Sequence, residues 1–405
     1  MSAGAVVTGI GVVAPNGAGV KDFWAAIRTG RNAIGPVTRF DASLHPARLA
    51  GEIQGFDPAE HLPGRLIPQT DRMTQIALVA ADQALTDAGV ELDEIPPYDR
   101  GVVTAVASGG TEFGQNELRK LWSEGGTHVS AYQSFAWFYA VNSGQISVRH
   151  GLRGPADALI GDQAGGLDAL GHARRQIRRG GKVVFTGGVE ASVCSWGWAA
   201  RLSTSLLSTS DEPGRAYLPF DSAARGCVPG EGGALMIIED ERAARARGAR
   251  TLYGRIAGHG STLDPRPGSG RAPGLRRAVE IALADAGSHP GEVDVVFADA
   301  AGTKRSDREE ADAITAVFGP RGVPVTAPKT MIGRLSAGGA PVDVVAALLA
   351  MREGLIPPTT NVELSSEYAL DLVTGRARPL SVRTALVLAR GYGGFNSAVV
   401  LKAVD

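Results

Sequence analysis

Short apolar, β-branched runs alternate along this chain with longer Ala/Leu/Arg-rich stretches, and that alternation constrains the fold more than any other feature. Ala5–Thr8, Gly101–Ala107, Asp157–Ile160 and Val183–Thr186 read as strands in the first half. Thr251–Gly258, Val293–Ala298, Thr384–Arg390 and Ser397–Ala403 read as strands in the second. Between them lie helical patterns: one capped by Asp71 and stopped by Gly89, then Gly165–Arg179, Ala272–Ala286 and Pro341–Glu353. The aromatic run Phe135–Gly144 leaves its type open. Alternation of this kind predicts an α/β fold with parallel pairing and helices covering both faces.

The plan occurs twice. GDQAGG at Gly161–Gly166 and RLSAGG at Arg334–Gly339 each put a glycine turn before a long helix, roughly 170 residues apart, as an internal duplication does. The charged stretch Asp240–Arg250 reads as an exposed helix and linker, which divides the chain into halves 1–250 and 251–405. Lys and Arg number 41 against 42 Asp and Glu, so no basic field points to nucleic acid or anionic lipid. The start lacks the basic and apolar regions of a signal peptide, and no 18-residue apolar window predicts a membrane span. The expected location is the cytoplasm. Two cysteines, Cys194 and Cys227, make no disulfide framework, and the seven histidines form no ligand pair, so neither a metal nor a cofactor is expected.

Two local motifs carry chemistry or imitate it. Gly9-Ile-Gly-Val-Val-Ala follows a strand like a dinucleotide fingerprint, but Pro15 and Asn16-Gly17 interrupt where the phosphate-binding helix belongs; a structural turn is the expectation. Gln163 stands at an elbow between strand and helix, where backbone N–H groups and the helix dipole favour negative charge. A Cys there is a low-pKa nucleophile; Gln has no ionisable proton. His172, beside Arg174 and Arg175, is expected to be solvated.

Several segments together resemble the β-ketoacyl synthases of the thiolase superfamily: TGIGVVAPNG, GPADALIGDQAGGLDAL, LPFDSAARGCVPGEGGALMIIED, DAAGTKRSD, APKTMIGRLSAGGAP and ARGYGGFNSAVVL, in that order from end to end. The resemblance implies a duplicated thiolase-like fold in five layers, α-β-α-β-α. An active member carries a Cys at the elbow, a His before Gly-Thr, and a second His after Lys-x-x-x-Gly. Matched residue by residue, those positions hold Gln163, Ala301 and Arg334, and only Lys329 is retained. Losing three members of a cooperating set predicts no acyl transfer.

A Gln at the nucleophile position in an intact frame is similar to the chain length factors of bacterial type II aromatic polyketide synthases, and FAWFYAVNSGQISVRHG extends the likeness. That resemblance implies a heterodimer with a catalytic ketosynthase subunit, working on an acyl carrier protein that bears malonyl units and the growing polyketide. It also implies that Thr111, Gly114 and Leu118 line the polyketide tunnel, and that Phe135, Trp137, Phe138 and Tyr139 lie near the subunit boundary. All three tunnel positions hold small or medium side chains, which implies a deeper pocket and a product longer than the sixteen-carbon class of that family. Packing offers another account of this helix, with Leu118, Leu121 and Trp122 as a buried stripe. Gly114 fits that account poorly, because a helix-interior glycine costs roughly 1 kcal/mol relative to Ala. An alternative activity is decarboxylation of a malonyl-carrier thioester, with the Gln163 amide donating to the enolate oxygen.

Overall fold

The computed structural model describes residues 4–266 and 268–404, so the first three residues of the start segment lie outside it. The main elements, in chain order, are β1 (Ala5–Ala14), α1 (Arg72–Ala88), β2 (Arg100–Val106), α2 (Thr111–Glu124), α3 (Val141–His150), β3 (Ala156–Ile160), α4 (Gln163–Arg178), β4 (Val183–Glu190) and β5 (Gly232–Asp240). The second half contributes β6 (Gly254–Leu263), α5 (Leu275–Ala286), β7 (Val295–Phe297), α6 (Lys304–Phe318), β8 (Pro324–Thr326), α7 (Gly339–Glu353), β9 (Asp371–Leu372), β10 (Thr384–Gly391) and β11 (Phe395–Lys402).

The strands hydrogen-bond in the order β9-β8-β7-β10-β11-β6-β1-β5-β4-β2-β3. Two register pairs, Val6 with Arg255 and Val7 with Gly254, join one half of the sheet to the other. The two halves are built alike: each has a parallel outer block, β4-β2-β3 or β10-β7-β8-β9, and an antiparallel inner part. Uniform parallel pairing is therefore corrected to a mixed sheet. The reason lies in the connections: β10 and β11 are joined by a tight hairpin turn, with Gly393 and Gly394 at positive φ, and such a hairpin forces antiparallel strands.

Five layers result. Helices α1 and α3 cover one outer face, α5 and α6 the other, and α4 and α7 lie between the two halves of the sheet. The middle position explains α7's composition: residues 339–350 are buried all round, so the helix needs no polar face. Asp71 accepts from the Met73 N–H and Gly89 closes α1 in the left-handed conformation, as the sequence predicts. The turn expected at Gly9-Ile-Gly-Val-Val-Ala is instead part of β1, and Gly9 and Gly11 are explained by packing and not by a nucleotide. A Cβ on Gly9 would lie 2.1 Å from the Ala84 carbonyl oxygen and one on Gly11 1.9 Å from that of Ala80, so β1 touches the α1 backbone directly. The aromatic run resolves into a single turn, Gln133–Ala136, leading to α3. At the end of the sheet β3 has one neighbour, β2, and Ile160 and Val148 beside it are exposed.

Candidate functional site

The elbow and its repeat meet in the middle layer. Gln163 is the first residue of α4 and is buried. With the amide oriented as the donors and acceptors around it require, its nitrogen donates to the Ser336 carbonyl at 3.1 Å and its oxygen accepts from the Ser336 N–H at 3.0 Å. Ser336 holds a positive φ of 49° and turns its hydroxyl onto Asp162. A Cβ on Gly339 would come within 2.3 Å of the Gln163 amide, so glycine is required there for the side chain to fit.

Arg334 is also buried. Its guanidinium donates to the Asp299 carbonyl at 2.7 Å, to both Asp299 carboxylate oxygens at 3.0 and 3.1 Å, and to the Arg390 carbonyl at 3.3 Å. Burial opposes ionisation of Asp299, but Arg334 and Lys329 hold its carboxyl below the usual range. Ala301 lies two residues beyond Asp299 on the same loop, where Ala300 and Gly302 have positive φ and the Tyr217 hydroxyl donates to the Ala300 carbonyl at 2.5 Å. Lys329 Nζ forms a buried ion pair with Asp343, 2.6 Å from its Oδ2. Burial pushes the Asp343 carboxyl up to about 6 despite that lysine. The positions matched to the acyl-transfer set are thus brought together, and Gln163 and Arg334 are each locked onto a neighbour. No nucleophile or imidazole stands at any of them.

A second region gathers around α2. Gly114 is buried, and a Cβ there would meet Trp196 at 3.4 Å and Trp137 at 3.7 Å. A Cβ there would make only ordinary van der Waals contact, so packing does not require the glycine, although the Trp196 indole lies over the space expected there in this chain. The buried stripe is corrected: Leu118 and Leu121 are more than a third exposed and Trp122 is 83% exposed. Thr111 is half-buried at the start of α2. Phe135 is half-buried, while Trp137, Phe138 and Tyr139 are exposed. His172 is not solvated as expected: it is half-buried with its ring 3.2 Å from Asp157.

A model of the β-ketoacyl synthase N-terminal domain matches residues 4–243, and one of the C-terminal domain matches residues 253–363. The chain belongs to the β-ketoacyl synthase family. It is 58% identical to the actinorhodin polyketide putative beta-ketoacyl synthase 2 of Streptomyces coelicolor, over 98% of each chain. It is 55% identical to the tetracenomycin polyketide synthase ketoacyl synthase beta subunit of Streptomyces glaucescens, again over 98% of each. Among solved structures it resembles the ishigamide ketosynthase/chain length factor, with a TM-score of 0.92 and 27% identity over all of both chains. It also resembles a type II polyketide synthase acyl-carrier protein complex with its ketosynthase bound to the hexaketide, with a TM-score of 0.88 and 26% identity over all of both. Within the β-ketoacyl synthase family the chain stands with the β subunits, the chain length factors.

For a β-ketoacyl synthase relative, the sequence reading missed the groups that hold the replaced positions: Ser336, Asp299, Asp343, Tyr217 and Trp196. Asp299 had a signal, being an acid two residues before the first replaced His position. Ser336 had one in the RLSAGG repeat, where it occupies the place Gln163 has in GDQAGG.

Proposed function

We propose that this chain is the non-catalytic subunit of an aromatic polyketide synthase, which pairs with a catalytic ketosynthase and sets the length of the polyketide. The observation that carries the reading is the locked site: the Gln163 amide is committed at both ends to Ser336, and Arg334 to Asp299. A scaffold kept intact around residues that cannot transfer an acyl group supports a role in assembly and in shaping a cavity. The same clamp weighs against decarboxylation, because the amide that would hold the malonyl carbonyl already holds the backbone.

The exposed apolar groups around α2 support the pairing. Leu118, Trp122, Trp137 and Phe138 are exposed large apolar side chains on α2 and the turn that precedes α3, a patch of the kind that marks an interaction site. The tunnel assigned to Thr111, Gly114 and Leu118 runs along that patch, at the boundary with the partner. An acyl carrier protein delivers malonyl units and holds the growing chain, and the assembly works in the cytoplasm. No helix among the described residues is long and apolar enough to cross a membrane. The test is co-expression with a cognate ketosynthase and carrier protein, followed by mass measurement of the polyketide. A product whose length follows the identity of this subunit is the expected result. A product whose length follows the ketosynthase alone would overturn the assignment.

A further inference from the structure

The start of α2 is held by a residue 42 positions upstream. Gly110 caps α2 without a side chain, so the first N–H groups of the helix need acceptors from elsewhere. Asp71 supplies one. Its Oδ1 accepts from the Met73 N–H at 2.7 Å, capping α1, and its Oδ2 accepts from the Phe113 N–H at 2.8 Å. One buried carboxylate therefore caps two helices, with the added strength of a charged acceptor.

We propose that Asp71 is the positioning residue for the length-setting face of α2, an inference that rests on the function proposed above. Phe113 lies between Thr111 and Gly114 in sequence, so its backbone N–H is anchored in the same turn that carries the length-setting face. The backbone is confined on its other side as well: a Cβ on Gly110 would lie 2.9 Å from Asp71 Cβ and 2.2 Å from the Ala136 carbonyl. Arg39 completes the grip, donating to Glu112 at 2.7 and 2.5 Å and to the Val193 carbonyl at 3.3 Å. A slip of one residue turns a helix by about 100° and moves it about 1.5 Å, which is enough to exchange the side chains facing a tunnel.

Burial pushes the Asp71 carboxyl up to about 7 against the pull of the two amides; Glu112 of α2 and Glu190 of β4 push the same way. The Cys194 thiol lies near enough for the Asp71 charge to help, after burial, in pushing it up. The grip on α2 therefore weakens as Asp71 takes up a proton below neutral pH.

The experiment uses the complex with its ketosynthase and carrier protein and reads the spectrum of product lengths. Asp71→Asn keeps a cap on α1 but turns an N–H₂ group or leaves no second acceptor toward Phe113. Asp71→Ser keeps the α1 cap and is too short to reach α2. Both should pair normally, and the ratio of the main product to its neighbours should fall roughly fivefold, the scale of one lost helix cap. The unmodified complex should lose fidelity from pH 8 to pH 6, and Asp71→Asn should give a flat profile. Hydrogen exchange at the Phe113 amide should speed up in both variants. Gly114→Phe is the control. If it shortens the product while both Asp71 variants keep the original spectrum at every pH, Asp71 does not position the face. If Gly114→Phe also leaves the length unchanged, the length-setting role of α2 itself is wrong.

Discussion

The side chain of Gln163 is hydrogen-bonded at both ends to the backbone of Ser336, the residue that holds its own place in the second copy of the glycine turn. The two copies thus close on each other where a family member that transfers acyl groups keeps a free thiol. Gln163→Cys should therefore acquire at most slow labelling by an acyl thioester or a Cys-directed ketosynthase inhibitor. The new thiol would stand at a helix N-terminus, but Ala301 and Arg334 offer it no imidazole. Intact-protein mass after timed exposure measures this, and labelling as fast as that of a catalytic ketosynthase would refute it.

Arg334 and Asp299 form a buried ion pair whose members depend on each other. Arg334→Met should destabilise the fold by about 3–5 kcal/mol, because it leaves the buried Asp299 charge without its ion-pair partner. Arg334→Met combined with Asp299→Asn should recover much of that loss. Chemical denaturation of the three variants gives the coupling, and additive losses would contradict the pairing.

Gly114→Phe and Thr111→Phe should shorten the polyketide without preventing pairing. At Gly114 the new ring must displace the Trp196 indole, which already lies 3.4 Å from the Cβ position. Mass spectrometry of the product and size-exclusion chromatography of the complex read the two effects separately. Variants that pair and release an unchanged product would show that this face does not measure the chain.

Pairing should be permanent and bury more than about 2,000 Å², in the range of obligate interfaces. Trp137→Ala should weaken it by about 2 kcal/mol or more, roughly thirtyfold in affinity, the scale of an aromatic hot spot. Sedimentation of the mixed subunits measures this. A purified chain that stays a stable monomer at micromolar concentration would contradict the claim.

Asp307 accepts the Phe220 and Gly302 N–H groups at 3.1 and 2.9 Å, and burial pushes its carboxyl up to about 7. A carboxyl raised in the folded state contributes stability that is complete below its unfolded value of about 4 and is lost as pH rises through the folded one. Between pH 5 and pH 8 the melting temperature should fall, and Asp307→Asn should flatten that slope. An equal slope in the variant would assign the dependence to other groups.

Much of the fold was legible because it is written in local periodicity: the strands, the Asp71-capped helix and the two glycine turns appear close to where they were read. Strand direction was not, since alternation alone says nothing of a hairpin such as that joining β10 to β11. At the site, the replaced positions could be read from motif order, but their locks could not. The clamp on Gln163 depends on a serine at positive φ more than 170 residues away. Leu118, Leu121 and Trp122 show the same limit in another form: spacing says which residues share a face, and not whether anything in the same chain covers it.

The open edge of β3 has a meaning for how such a protein must be made. A terminal strand paired on one side only, flanked by exposed Ile160 and Val148, is a template for another strand. Chain synthesised in excess of whatever covers that edge should therefore be prone to pair with itself and be lost from solution. Yield in a heterologous host should accordingly follow the ratio in which the two subunits are translated, more than the strength with which either is expressed.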